Sequence, residues 1–255
     1  MKALYFDYAA STPLHPEVLK EMLPFLSIHF GNPSSIHSFG RTARAGIEKS
    51  RENLASVLDA EPVEIIFTSG GTEADNLAVI GSARALRDTG RHIITSKIEH
   101  PAVLRSCQFL EKEGFSVTYL PVDSKGLIDP ESLREALRKD TIFISIMHAN
   151  NEIGVIEPVD ELCKIALEAQ IPFHSDGVQS FGYIDVNLDN LPVDMYSVSA
   201  HKIYGPKGAG ALYIKRGTKI SSLIYGGEQE NQKRAGTENT ASIVGMGKAA
   251  RLSLD

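Results

Sequence analysis

Two cysteines in 255 residues, Cys107 and Cys163, are too few for a disulfide framework, and the chain has no CxxC pair and no HExxH helix. No His, Cys and carboxylate residues recur at metal-ligand spacing, so no metal is expected. Both cysteines lie in stretches with helical spacing of apolar residues, AVLRSCQFLEK and VDELCKIALEA, and read as small buried hydrophobes rather than reactive thiols. No apolar run reaches transmembrane length, and Asp7 falls where a signal peptide needs an apolar core. Neither sign of charge dominates: Lys and Arg number 26 against 32 Asp and Glu, a net charge of -6, which excludes a nucleic-acid-coating surface. The expectation is a cytoplasmic protein with no nucleic-acid and no membrane partner. No internal repeat, low-complexity tract or linker divides it.

What is present is the composition of an ordinary globular protein, 42% hydrophobic and 23% charged. A chain of this size buries about 70–75% of its unfolded surface and needs no staples. Short β-rich runs occur at Glu64–Thr68, His92–Thr95, Phe115–Leu120, Thr141–Met147, Pro172–His174, Asp194–Val198 and Ala209–Ile214. Amphipathic stretches at Thr42–Leu58, Glu73–Arg87, Ala102–Glu113, Glu131–Arg138 and Val159–Ala169 lie between most of them. This alternation predicts an α/β fold, a mostly parallel sheet of seven strands with helices on both faces. Pro13, Pro16, Pro24 and Pro33 punctuate the N-terminal stretch, which reads as an irregular lead-in.

In such a sheet, ligands bind at the carboxyl ends of the strands. The unusual polar residues fall there. Ser69-Gly70-Gly71-Thr72-Glu73 follows EIIFT and opens a helix, whose N-terminal amides suit a phosphate, with the Thr72 hydroxyl beside them. His100 follows HIITSK and can stack on a ring and move protons. Asn150 and Asn151 follow the longest apolar strand, and their amides need polar partners. Asp176 can hold a pyridine nitrogen protonated, and Gln179 can reach a ring oxygen. Lys202, in SAHKIYGPKG, sits just past a buried-looking strand, where an ammonium is costly unless it forms a Schiff base, as lysines do with pyridoxal phosphate. Each has a plainer reading alone: a solvated loop lysine, a glycine-turn helix cap, a loop histidine, an Asx turn, an N-cap aspartate. Their joint order is similar to that of fold-type I pyridoxal-phosphate enzymes.

The segments FDYAASTPLHPEV, FGNPSSIHSFGRTAR, EIIFTSGGTEADNLA, HIITSKIEHPAVL, SIMHANNEIGVIEP, HSDGVQSFG, SVSAHKIYGPKGAGALYI and GGEQENQKRAGTENTASIVGMGKA cover almost the whole chain. Through them the chain resembles the cysteine desulfurases of the NifS/IscS type, in the class V aminotransferase superfamily. The resemblance implies removal of sulfur from L-cysteine, giving L-alanine and an enzyme persulfide that serves a sulfur-acceptor protein such as an iron–sulfur scaffold. It implies pyridoxal 5'-phosphate bonded to Lys202, with its phosphate on Gly71, Thr72, Ser199 and His201. It implies Asp176 on the ring nitrogen, Gln179 and Asn151 on the ring substituents, and His100 stacked on the ring and assisting proton transfer. Thr237, in RAGTEN, matches a residue that reaches the partner subunit's phosphate, which implies a homodimer. By the same resemblance, residues 1–15 are a lead-in belonging to a small domain and residues 16–255 form the cofactor-binding large domain. The attacking cysteine and the arginine that clamps the substrate carboxylate belong to a C-terminal part that this chain lacks. Neither Cys107 nor Cys163 matches the nucleophile. Two alternatives stay open: a related enzyme of the same fold such as a selenocysteine lyase, and a non-catalytic assembly subunit.

Overall fold

The structure, a computed structural model, describes residues 4–254. The parts of the domain expectations that concern residues 1–3 and 255 lie outside the described residues. Seven strands form one sheet: β1 (Ile65–Thr68), β2 (His92–Ser96), β3 (Ser116–Leu120), β4 (Thr141–Ser145), β5 (Phe173–Asp176), β6 (Met195–Ser199) and β7 (Gly210–Ile214). Their order is β1-β7-β6-β5-β4-β2-β3. Only β7 runs against its neighbours; β3, β2, β4, β5 and β6 pair in parallel. Each run expected from the sequence overlaps one of these strands, and β2, β5 and β6 extend one or two residues beyond the expected ends.

Seven α-helices accompany the sheet: α1 (Pro16–Ser27), α2 (Ser38–Leu58), α3 (Gly71–Leu86), α4 (Pro101–Lys112), α5 (Pro130–Ala136), α6 (Val159–Glu168) and α7 (Thr240–Leu252). The strands are buried throughout except β3, whose side chains are mostly half-buried at the sheet edge. Apolar residues on both faces need two covers. Ile66, Ile93, Leu212 and Ile214 pack under α3 and α4 through Leu77, Ala78, Val103 and Cys107. Ile65, Phe67, Ile94, Ile144 and Val198 pack on the other side with Ile47, Leu54, Leu162 and Met246.

The N-terminal lead-in is not irregular throughout: residues 16–27 form α1. Pro16 stands at the first helical position, where its missing N–H costs nothing, and His15 caps Glu17 N–H. Pro24 lies inside the helix, and tertiary burial of Val18 and Met22 offsets that break. Met22 packs so closely on α7 that a Cβ added at Gly245 would meet its sulfur at 2.6 Å. Among the described residues, no helix is long and apolar enough to cross a membrane.

The parallel strands point their carboxyl ends the same way. The turn after β1, His100 after β2, Asn151 after β4, Asp176 ending β5, and Ser199 with Lys202 at and after β6 therefore meet at one edge.

Candidate active site

One cavity of about 410 Å³ opens at that edge, a size suited to a small ligand. Gly71, Thr72, His100, Asn151, Asp176, Gln179, Ser199, His201 and Lys202 all line it, so nine of the ten residues that the resemblance assigns to the cofactor are brought together, whereas the Asn150 amide is taken up by Ile98 O and the Glu152 and Ile153 N–H groups. Thr237 does not line it; it is exposed in the loop before α7. Asp7, Ala9, Ala10, Asp75, Met147, Glu152 and Val178 line it as well, and sequence reasoning did not select them.

At one end lies the N-terminus of α3. Its first ladder bond runs from Ala74 N–H to Gly70 C=O at 3.1 Å, so the amides of Gly71, Thr72 and Glu73 precede the ladder and are free for an anion. Gly70 turns the chain there at φ 153°, a conformation essentially reserved for glycine. The Ser199 hydroxyl is buried beside this turn without a protein partner. His201 closes it, with Nδ1 3.3 Å from Ser11 Oγ. Burial, then the charges of Lys202 and Lys207, lowers the His201 pKa, so the cation-rich end keeps an uncharged imidazole.

The floor is acidic. Asp176 is buried, and its Oδ1 accepts the Val178 N–H at 2.9 Å. Asp75, one turn into α3, is also buried, and its Oδ1 has no hydrogen-bond partner. Burial above all, then repulsion from Asp176 and Glu99, raises Asp75 well above the carboxylate range, against a hydrogen bond from Ser197. Burial raises Asp176 too, but the Val178 amide and the charges of His100 and Lys202 oppose it. Two carboxyls so close do not both ionise in a dry site. Asp75 is the more strongly raised of the two, and Asp176 is the one whose charge its neighbours favour. His174 lies 3.7 Å from Asp75, but burial lowers it to about 3, so this is a contact of neutral groups rather than an ion pair.

His100 caps α4: its Nδ1 accepts Ala102 N–H at 3.1 Å, which leaves the ring proton of the neutral form on Nε2. The Lys202 Nζ donates to the carbonyls of Ala9 and Ala10, the latter at 3.1 Å, and Gln179 Nε2 donates to Ala9 at 2.9 Å. The segment 7–12, which turns at residues 8–10, thus passes over the lysine, held further by Thr12 on His201 O. Burial lowers the Lys202 pKa, and Asp176 and Asp7 oppose the shift. Asn151 donates to Glu152 at 2.9 Å.

No metal was expected from the sequence, yet ligand-type atoms of Asp75, His100 and Asp176 lie within 4.8 Å of one another. The set instead suits a flat ring carrying a phosphate at one end and a basic nitrogen at the acidic floor. The orphaned Ser199 hydroxyl, the free helix amides, one ionised buried carboxylate and a desolvated amine match those needs one for one.

The sequence model described as "Aminotransferase class-V" matches residues 4–254. A protein of Dictyoglomus turgidum named cysteine desulfurase IscS is 63% identical over 253 residues, covering 99% of this chain and 64% of its own length. The cysteine desulfurase IscS of Methanosarcina thermophila is 54% identical over 252 residues, covering 99% of this chain and 62% of its own length. The chain thus spans about 64% of the length of the curated relatives it matches. Among solved structures, SspA in complex with cysteine superposes with a TM-score of 0.95 at 46% identity, covering 97% of this chain and 72% of that one. A NifS-like protein gives 0.97 at 42% identity, covering 99% and 70%.

Proposed function

The chain belongs to the aminotransferase class-V family, and on that premise we propose that it binds pyridoxal 5'-phosphate and works as a cysteine desulfurase, taking sulfur from L-cysteine and leaving L-alanine. The observation that carries this reading is the delivery of the Lys202 amine, the buried Asp176 carboxylate and a free helix N-terminus to a single cavity.

When bound, pyridoxal phosphate supplies an electron sink that acidifies the substrate α hydrogen and labilises its thiol. The amides that open α3, with Thr72, Ser199 and His201, hold the phosphate. Asp176 keeps a proton on the ring nitrogen, and neutral Asp75 behind it leaves that charge undivided. His100, lining the cavity with Nδ1 engaged by Ala102 N–H, would lie against the ring and would move protons through Nε2. Asn151 and Gln179 would hold the ring substituents. Lys202 Nζ would hold the cofactor and, as a free amine, would take the substrate α proton; its lowered pKa favours the unprotonated amine this role requires.

Neither cysteine suits the attacking role. Both are fully buried, and burial pushes the Cys107 thiol up to about 12 and Cys163 higher still. The thiolate that accepts the sulfur as a persulfide therefore comes from outside these residues. Thr237 reaching a partner's phosphate in a homodimer, transfer of the sulfur to an acceptor protein such as an iron–sulfur scaffold, and a cytoplasmic setting complete the proposal.

Titration with pyridoxal phosphate is expected to produce a visible absorption band that Lys202→Ala lacks, and L-cysteine is expected to perturb it. A wild-type protein that stays colourless with excess cofactor overturns the reading.

A further inference from the structure

β1 is an edge strand, paired with β7 on one side only. Its open side is closed by two side chains instead of a strand. Arg51 Nη1 donates to Ile65 O at 2.6 Å, and Phe67 N–H donates to Glu230 Oε2 at 2.7 Å. The two side chains pair with each other through two bonds of 2.7 Å. The guanidinium also lies 4.7 Å from the centre of the Phe67 ring. Arg51 is 5% and Glu230 4% exposed, so this pair works in a dry setting where its geometry is strongly held.

Glu230 reaches that position through an unusual backbone. Glu230, Asn231 and Gln232 are three successive non-glycine residues at φ 47°, 55° and 63°. Such a run persists only when its surroundings over-determine it. Two residues further on, Arg234 Nε donates to Glu73 Oε1 at 2.8 Å, and Glu73 Oε2 accepts Ser69 N–H at 2.9 Å. The segment therefore grips the chain on both sides of Gly70 and Gly71: at Phe67 before the anion-binding turn, and at Ser69 and Glu73 around it. Glu73 in the first helical turn has the same sign as any anion bound there, and Arg234 neutralises it.

We propose that Glu230–Arg234 is a clasp that sets the phosphate affinity of the turn Ser69–Thr72, with Glu230, Arg51, Arg234 and Glu73 as positioning residues. The inference rests on reading that turn as the cofactor's phosphate site. Its signature is selective: the clasp governs the phosphate and leaves the lysine end alone.

The experiment compares pyridoxal phosphate with pyridoxal, which lacks the phosphate, by absorbance titration of wild type, Glu230→Gln and Arg234→Gln. The dissociation constant for pyridoxal divided by that for pyridoxal phosphate is expected to fall about tenfold in each variant, while pyridoxal itself weakens less than about threefold. Equal weakening of both compounds, or an unchanged ratio in Arg234→Gln, overturns the clasp. Arg234 is on the surface side of the segment, so its variant carries the test if Glu230→Gln does not fold. A wild type that binds neither compound overturns the cofactor reading and the clasp with it; a wild type that binds both separates the two questions.

Discussion

Replacing Glu99 by Gln tests the acidic floor most sharply. Glu99 is 4% exposed, and its Oε1 accepts Ser96 Oγ at 2.7 Å and Met147 N–H at 2.9 Å, tying the end of β2 to the end of β4. Its other oxygen has no partner. Burial, against those two hydrogen bonds and with help from the charges of Asp176 and Glu157, raises its pKa from 4.5 to about 8. Between those values the folded state holds a proton that the unfolded chain has released, so stability falls as pH rises. The slope for one such group is about 1.4 kcal/mol per pH unit. From pH 5 to pH 8 the wild type is expected to lose roughly 3–4 kcal/mol through Glu99 alone.

Gln is close to the neutral acid in shape, keeps the acceptor oxygen and has no proton to lose. Most other titrations cancel when variant and wild type are compared at each pH. The stability difference should therefore move in favour of Glu99→Gln by about 3 kcal/mol across that range. Urea unfolding of both proteins at pH 5, 6.5 and 8 reads it directly. A difference that stays constant within ~0.5 kcal/mol, or moves toward the wild type, would mean that Glu99 is ionised in the fold. The reasoning about proton-holding carboxyls, Asp75 included, would then fail.

Asp176→Asn should slow exchange of the L-alanine α hydrogen in heavy water by at least about 100-fold, whereas Asp75→Asn, which replaces an already neutral group, should stay within about threefold; equal losses would reverse the assignment of charge. In Gly177→Ala the new Cβ would lie 2.0 Å from Tyr196 Cε1, on a fully buried ring whose hydroxyl is bonded to Ser180 at 2.6 Å and His148 at 2.8 Å. Displacing that ring is expected to cost about 3 kcal/mol in urea unfolding, and a cost under ~0.5 would show the packing to be soft. Both cysteines should resist a thiol reagent at pH 8 in the folded protein and react fully in denaturant; rapid native labelling of either would restore it as a nucleophile candidate.

All seven strands were legible because each falls in a short run of apolar or β-forming residues ended by a polar turn within a few positions. Helix α1 was not. Its two prolines read locally as breaks, and only the burial of Val18 and Met22 makes a helix there the lower state. The site was legible where chemistry changes abruptly at a strand end: the glycine turn, His100, Asp176 and Lys202. Asp75 and Glu99 were not, because in sequence a carboxylate on a helix or in a loop looks like surface charge. The clasp was equally hidden, since Arg51 and Glu230 lie 179 residues apart.

The sequence by itself determined the order of elements and which of their ends carry reactive groups, because both depend on neighbours a few residues away. Only the tertiary structure decided which of those groups meet, which carboxyl keeps its proton and what holds the turn in shape. Desolvation and ion pairing are set by atoms brought close in space, and along this chain those atoms belong to strands and loops far apart.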